Sequence, residues 1–299
     1  MFGRGKTSVP EWARPLNSRQ FDAMMVAIDG YFTRHDISYR TEDGTVVLQG
    51  PQTLGLANIV QMCCQIPESA YGQMIDGQFD SIFVNETFLS QLDLNCFEQI
   101  EQYLAVRLHD DEYLSHIPAD WVDVTTRPFA GNLRQTLVLD FPTAIVCVDK
   151  DSMEHWGKPA DELFTRGIDN VKQNYDWPIG KADLAGQPYF IVETEHFFAG
   201  NLLFDLDSHP ELLGAHGAVV AVPTRSVVVL YPINGPQVIG AFAQLASAVT
   251  HAYEAGPGSL TTQVCWYHDG QFVVLPYDVA GTHIRFFPPD EFTGMLNFL

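Results

Sequence analysis

Apolar residues recur at Phe21, Met24, Met25, Ile28 and Phe32, the i, i+3, i+4, i+7, i+11 spacing of one helical face. Ser18 stands where an N-cap belongs, so the spacing predicts a helix over 18–34. From Ile37 to Gln49 the chain reads as a hairpin, and Asp43-Gly44 supplies the pair a type I′ turn requires. That turn sets Tyr39 opposite Leu48 and Thr41 opposite Val46, giving one apolar face. Leu56, Ile59, Val60 and Cys63 predict a second helix. Pro67 opens a third, with Tyr71, Met74, Ile75 and Phe79 inward. Phe97 and Ile100 predict a short helix that gives way to a strand near Tyr103. Residues 110–130, with Pro118 and Pro128, read as a connector between lobes carrying one short strand.

The segment 134–231 carries the clearest local signals. Leu137–Leu139 and Ile145–Val148 are continuous apolar runs that suit strands covered on both faces. Asp151 and Glu154 start a helix that Gly157 ends, and Pro159 opens another with Ala160, Leu163, Phe164, Ile168 and Val171 inward. Strands are predicted at Tyr189–Glu195, Val219–Val222 and Ser226–Tyr231. Beyond them, Val238, Phe242, Leu245 and Val249 mark a helix buried nearly all round. Asp269-Gly270 turns a second hairpin, pairing Tyr267 with Phe272 and Trp266 with Val273. The pattern as a whole predicts an α+β protein of two lobes, each a small antiparallel or mixed sheet with covering helices. The expected divisions are a flexible arm at 1–16, an N-terminal α/β lobe at 17–130 and a C-terminal α+β lobe at 131–299.

Charge narrows the partners. The 299 residues hold 16 Lys and Arg against 37 Asp and Glu, a net charge of −21. Between Arg40 and Arg107 there is no basic residue, and between Lys181 and Arg285 only Arg225. A phosphate backbone or an anionic membrane surface is bound through Lys and Arg, so neither nucleic acid nor membrane is an expected partner. Five cysteines without C-x-x-C spacing read as reduced thiols of a cytoplasmic protein. Gly5-Lys6-Thr7 imitates the end of a P-loop but lacks its first glycine and preceding strand.

Three segments, Asp161-Glu162-Leu163 with Asn170, Phe198-Ala199-Gly200-Asn201-Leu202-Leu203, and Val222-Pro223-Thr224-Arg225, together resemble the YtpQ-like family of uncharacterised bacterial proteins. The family has an acidic residue where this chain has Phe198, and often another where it has Ser226. The resemblance implies a bacterial, cytoplasmic protein and assigns no activity.

Candidate chemistry is sparse. Arg225 lies in an apolar run, where a guanidinium must be paired. Its expected role is a structural tie to Glu193, Glu195, Asp205 or Asp207, with an anchor for a ligand's carboxylate or phosphate as the alternative. Asn170, on a helix that otherwise packs, is a second candidate binding residue and reads more readily as a hydrogen-bonding strut. Glu193, Glu195, His196, Asp205, Asp207 and His209 bring together the ligand types of a divalent metal site, whose bound water is a nucleophile near neutral pH. No nucleotide, kinase or hydrolase motif is present. The sequence thus predicts a non-enzymatic protein-interaction or accessory module without a cofactor, with another protein as its candidate partner. A metal-dependent hydrolase using 193–209 is the alternative.

Overall fold

The computed structural model describes residues 9–48, 53–89, 91–142, 144–184, 186–280 and 283–299. They form two compact units, one reaching Phe88 and including Ala255–Pro257, the other running Leu89–Glu254 and Gly258–Leu299. Both combine antiparallel sheets with covering helices, the α+β class that the hydrophobic pattern predicts.

In the first unit, α1 (Ser18–Arg34) spans the predicted range, but its cap lies one residue earlier than the sequence suggests. Asn17 is the N-cap: its side chain accepts the Gln20 N–H at 3.0 Å, while Gln20 accepts the Asn17 N–H at 3.0 Å. The buried face is Phe21, Met24, Ile28, Tyr31 and Phe32, with Met25 half-buried beside it. Strands β1 (Tyr39–Glu42), β2 (Thr45–Leu48) and β3 (Thr53–Gly55) form one sheet, and β1 pairs with β2 in the predicted register. Asp43 and Gly44 both take positive φ, as the turn demands. Helices α2 (Ala57–Gln65) and α3 (Tyr71–Leu89) bury Ile59, Val60, Cys63, Tyr71, Ile75 and Phe79 in the same core. The expected flexible arm is corrected from residue 9 onward. Ala13 and Leu16 are buried in that core, and the Trp12 ring meets Phe21 edge-on at 5.7 Å. Residues 1–8, with Gly5-Lys6-Thr7, lie outside the described residues.

The second unit opens with α4 (Phe97–Ile100), β4 (Leu104–Asp110), α5 (Asp111–Leu114), α6 (Ala119–Thr125) and β5 (Thr126–Ala130). The expected boundary at 130 therefore lies too late. Both β4 and β5 hydrogen-bond to β6 (Leu133–Asp140), which fixes residues 104–130 in this unit. β7 (Ile145–Cys147) completes the four-stranded sheet on β6. α7 (Lys150–Trp156) is capped by Asp149 rather than Asp151, and Gly157 ends it at φ 60°. α8 (Ala160–Asn174) buries Leu163, Phe164, Gly167 and Val171, while Ala160 is exposed. A Cβ on Gly167 would stand 2.9 Å from the Ala105 carbonyl carbon. The helix can lie against the β4 backbone only because that position has no side chain.

A six-stranded antiparallel sheet follows, ordered β13-β12-β10-β11-β9-β8. Its strands are β8 (Ile179–Leu184), β9 (Gln187–Glu193), β10 (Ala218–Thr224), β11 (Val227–Pro232), β12 (Val264–His268) and β13 (Gln271–Val274). The β12–β13 hairpin has the predicted pairs. β8, which the sequence reading lacks, is an edge strand whose Gly180, Lys181 and Asp183 interrupt any apolar run. α9 (Val238–Ala255) packs Val238, Ala241, Phe242, Leu245 and Val249 into a core with Val219 and Trp266. The ribbon β14 (Tyr277–Ala280) and β15 (His283–Phe286), then α10 (Asp290–Leu296), close the chain. Among the described residues no helix is long and apolar enough to cross a membrane.

Candidate functional site

β4 alternates. Leu104, Val106 and Leu108 face one way, and Ala105, Arg107 and His109 the other. Thr136 on β6 is the cross-strand partner of Arg107, and Val138 pairs with both Ala105 and Cys147. One face of the four-stranded sheet therefore carries Arg107, His109, Thr136 and Cys147. Arg107 is 8% exposed, His109 1% and Thr136 1%. These are depths at which polar side chains are normally hydrogen-bonded. Yet Arg107 Nε, both ring nitrogens of His109 and Thr136 Oγ1 have no hydrogen-bond partner among the described residues.

Arg225 joins them from elsewhere. It sits in the turn between β10 and β11, not in a strand. Its N–H donates to the Gly258 carbonyl at 2.9 Å, and its own carbonyl accepts the Ala199 N–H at 3.3 Å. The Tyr113 ring of α5 binds the group together. It stacks on His109 with centroids 4.4 Å apart, lies 5.2 Å from the Arg225 guanidinium carbon and brings its hydroxyl 3.9 Å from Cys147 Sγ. Arg225 Nε is likewise buried and unpartnered among the described residues.

The expected tie between Arg225 and Glu193, Glu195, Asp205 or Asp207 does not form. The ion pairs among the described residues include none with Arg225 or Arg107. Two carboxylates stand farther off. Asp110 accepts the Tyr113 N–H at 2.6 Å as the cap of α5, and Asp140 accepts the Tyr175 hydroxyl at 2.6 Å. Burial raises the pKa of both. Burial, then the neighbouring Arg225 charge, pulls Arg107 down to about 9, so it remains a cation at neutral pH. Burial and the two arginines hold His109 well below its ordinary value, so its imidazole is neutral. Burial also pushes the Cys147 thiol up, which keeps it protonated. The rim is aromatic: Tyr113 is 38% exposed, and Phe197, 48% exposed, lies 6.0 Å from the Arg107 guanidinium.

Asn170 serves the same strand in another way. Its amide donates to the carbonyls of Glu101 at 2.7 Å and Leu104 at 2.8 Å, and the buried Asn201 donates to the Val106 carbonyl at 2.8 Å. These two side chains satisfy carbonyls on the side of β4 away from β6. Asn170→Ala strands two carbonyls and is expected to cost about 1–3 kcal/mol, read as a lower urea midpoint at unchanged slope. An unchanged midpoint would show that water replaces the amide there. Asn170 and Asn201 thus both hold β4.

The six candidate metal ligands are not gathered. Glu193 and Glu195 are exposed at the end of β9. His196 bonds the Asp176 carbonyl at 3.1 Å and accepts the Phe198 N–H at 3.2 Å. Asp205 pairs with Lys172 at 2.9 Å, Asp207 accepts the Tyr267 hydroxyl at 2.6 Å, and His209 turns to Glu211 at 3.2 Å. A 3-10 segment, Ala199–Ser208, bends at Asp205 and sends these neighbours in sequence to separate partners. Among the described residues no group of three His, Cys, Asp or Glu side chains is placed to hold a metal ion.

The sequence reading passed over Arg107, His109, Thr136, Cys147 and Tyr113 as members of a site. The available signal was a cation and an imidazole two residues apart in an otherwise apolar strand, Leu104 to His109. No family model, curated protein or solved structure matches the chain.

Proposed function

We propose that this chain is a non-enzymatic recognition module whose anchor is the arginine pair Arg107 and Arg225, which seats an anionic group of the species it binds. One observation carries the reading: the buried Arg107 and the half-buried Arg225 share a site in which both Nε atoms are buried and neither guanidinium makes an ion pair among the described residues. Two like charges out of water repel and lose hydration, an arrangement that becomes favourable when an anion lies between them. The site's other groups suit binding better than bond-making. Cys147 is protonated, and His109 has no carboxylate to orient it among the described residues.

The test is thermal unfolding of the dialysed protein against acetate, sulfate and phosphate at constant ionic strength. At least one anion is expected to raise the melting temperature of the wild type with a saturating dependence, and to leave Arg225→Met unmoved. Equal response of both proteins to every anion would overturn the proposal.

A further inference from the structure

Resting on that reading, we infer that the anionic group is a phosphoryl group: the unpartnered donors of the β4–β6 face and the β10–β11 turn fit a tetrahedral oxyanion better than a carboxylate.

Arg107 Nε, Arg225 Nε and Thr136 Oγ1 are buried without partners among the described residues, and neutral His109 has one N–H to give. They come from three separate elements. Arg107 and His109 rise from β4, Thr136 from the neighbouring β6, and Arg225 enters from a turn of the other sheet. A carboxylate offers two oxygens in one plane and is met best by a single flat guanidinium. A phosphoryl group offers three oxygens pointing apart, so donors arriving from several sides can each find one. Charge agrees. Two guanidiniums are matched by a group carrying about −1.5 to −2 at neutral pH, and a carboxylate leaves one of them uncompensated.

Specificity then depends on the hydroxyl as well as on the arginines. Thr136 is 1% exposed, and its Oγ1, across the strand pair from Arg107, has no partner among the described residues. The source of the phosphoryl group is either free phosphate or a monoester. Tyr113 and Phe197 at the rim give an ester's organic part an aromatic surface to leave along.

The experiment is isothermal titration of the full chain with inorganic phosphate, phenyl phosphate, acetate and benzoate at one ionic strength. Phosphate is expected to bind at least about tenfold more tightly than acetate, the worth of one charge-assisted hydrogen bond. Phenyl phosphate is expected to exceed benzoate by a similar factor. Tighter binding of phenyl phosphate than of phosphate identifies a monoester as the source; the reverse order identifies free phosphate. Thr136→Val keeps the shape of the side chain and is expected to narrow the phosphate-to-acetate ratio, because it removes a donor only the larger anion reaches. Arg225→Met is expected to abolish binding of all four. Should acetate or benzoate match its phosphoryl counterpart, the phosphoryl assignment fails while the anion anchor stands. If none of the four binds, both fail.

Discussion

Arg107→Met is expected to make the ligand-free protein more stable and, in the same stroke, unable to respond to anions. The side chain is 8% exposed, its Nε has no partner among the described residues, and Arg225 is close enough to lower its proton affinity. Methionine keeps most of the stem's packing and removes one of two like charges. Replacing a buried ion pair or triad by apolar residues of similar volume is often neutral or stabilising, by about 1–4 kcal/mol, and relief of one unpaired like charge is expected to fall in that range. In a unit of this size that appears as a rise of about 2–4 °C per kcal/mol in melting temperature. The gain should hold in the absence of added anion and vanish when wild type is saturated with its best anion, since the ligand then supplies to wild type what the mutation supplies to the variant. A fall in stability would mean that Arg107 is a structural tie to Asp140 or Cys147, and the anchor reading would lose its main support.

The largest destabilisation is expected from Met24→Asp. Met24 is fully buried in the core formed by α1, α2, α3 and the three-stranded sheet. A carboxylate there has no cation to meet, because the basic residues of α1, Arg19 and Arg34, are already paired at the surface with Glu68 and Asp76. The cost should exceed about 4 kcal/mol, most of the margin of an ordinary domain. Its neighbours provide a graded control. Met25 is half-buried and should cost less, and Val26, 66% exposed, should tolerate Asp within about 0.5 kcal/mol. Limited trypsin digestion at Arg34 and Arg40 reads the series, with rapid cleavage only in the first variant. Equal cleavage of all three would show that the α1 stripe is not what holds this unit together.

What the sequence made legible was local. The α1 stripe, the Asp43-Gly44 and Asp269-Gly270 hairpins with their registers, and the αL stop at Gly157 each depend on a few adjacent residues, and each appears as read. The Asn17 cap was one residue off, because Asn and Ser both suit that place and only the reciprocal bond with Gln20 decides between them. The site was legible only in part. Arg225 stood out as a lone cation in an apolar run, but its surroundings come from α5, a four-residue helix inside what reads as a connector, and from β4. Nothing in the order of residues places Tyr113 between His109 and Arg225. The metal reading failed for the converse reason. Residues 193–209 are close in sequence, but Glu193 and Glu195 stay exposed while Asp205, Asp207 and His209 each take a separate partner.

The two asparagines that bond β4 bear on how its outer edge is closed. β4 is the last strand of its sheet, and an open strand edge offers bare carbonyls and N–H groups to any extended segment that meets it. Here the Leu104 and Val106 carbonyls are taken by Asn170 of α8 and Asn201 of the 199–208 segment, and Leu104, Ala105 and Val106 are at most 2% exposed, so the edge is closed from within the chain. A chain lacking both amides would leave these buried carbonyls unpaired and is expected to unfold at a lower temperature.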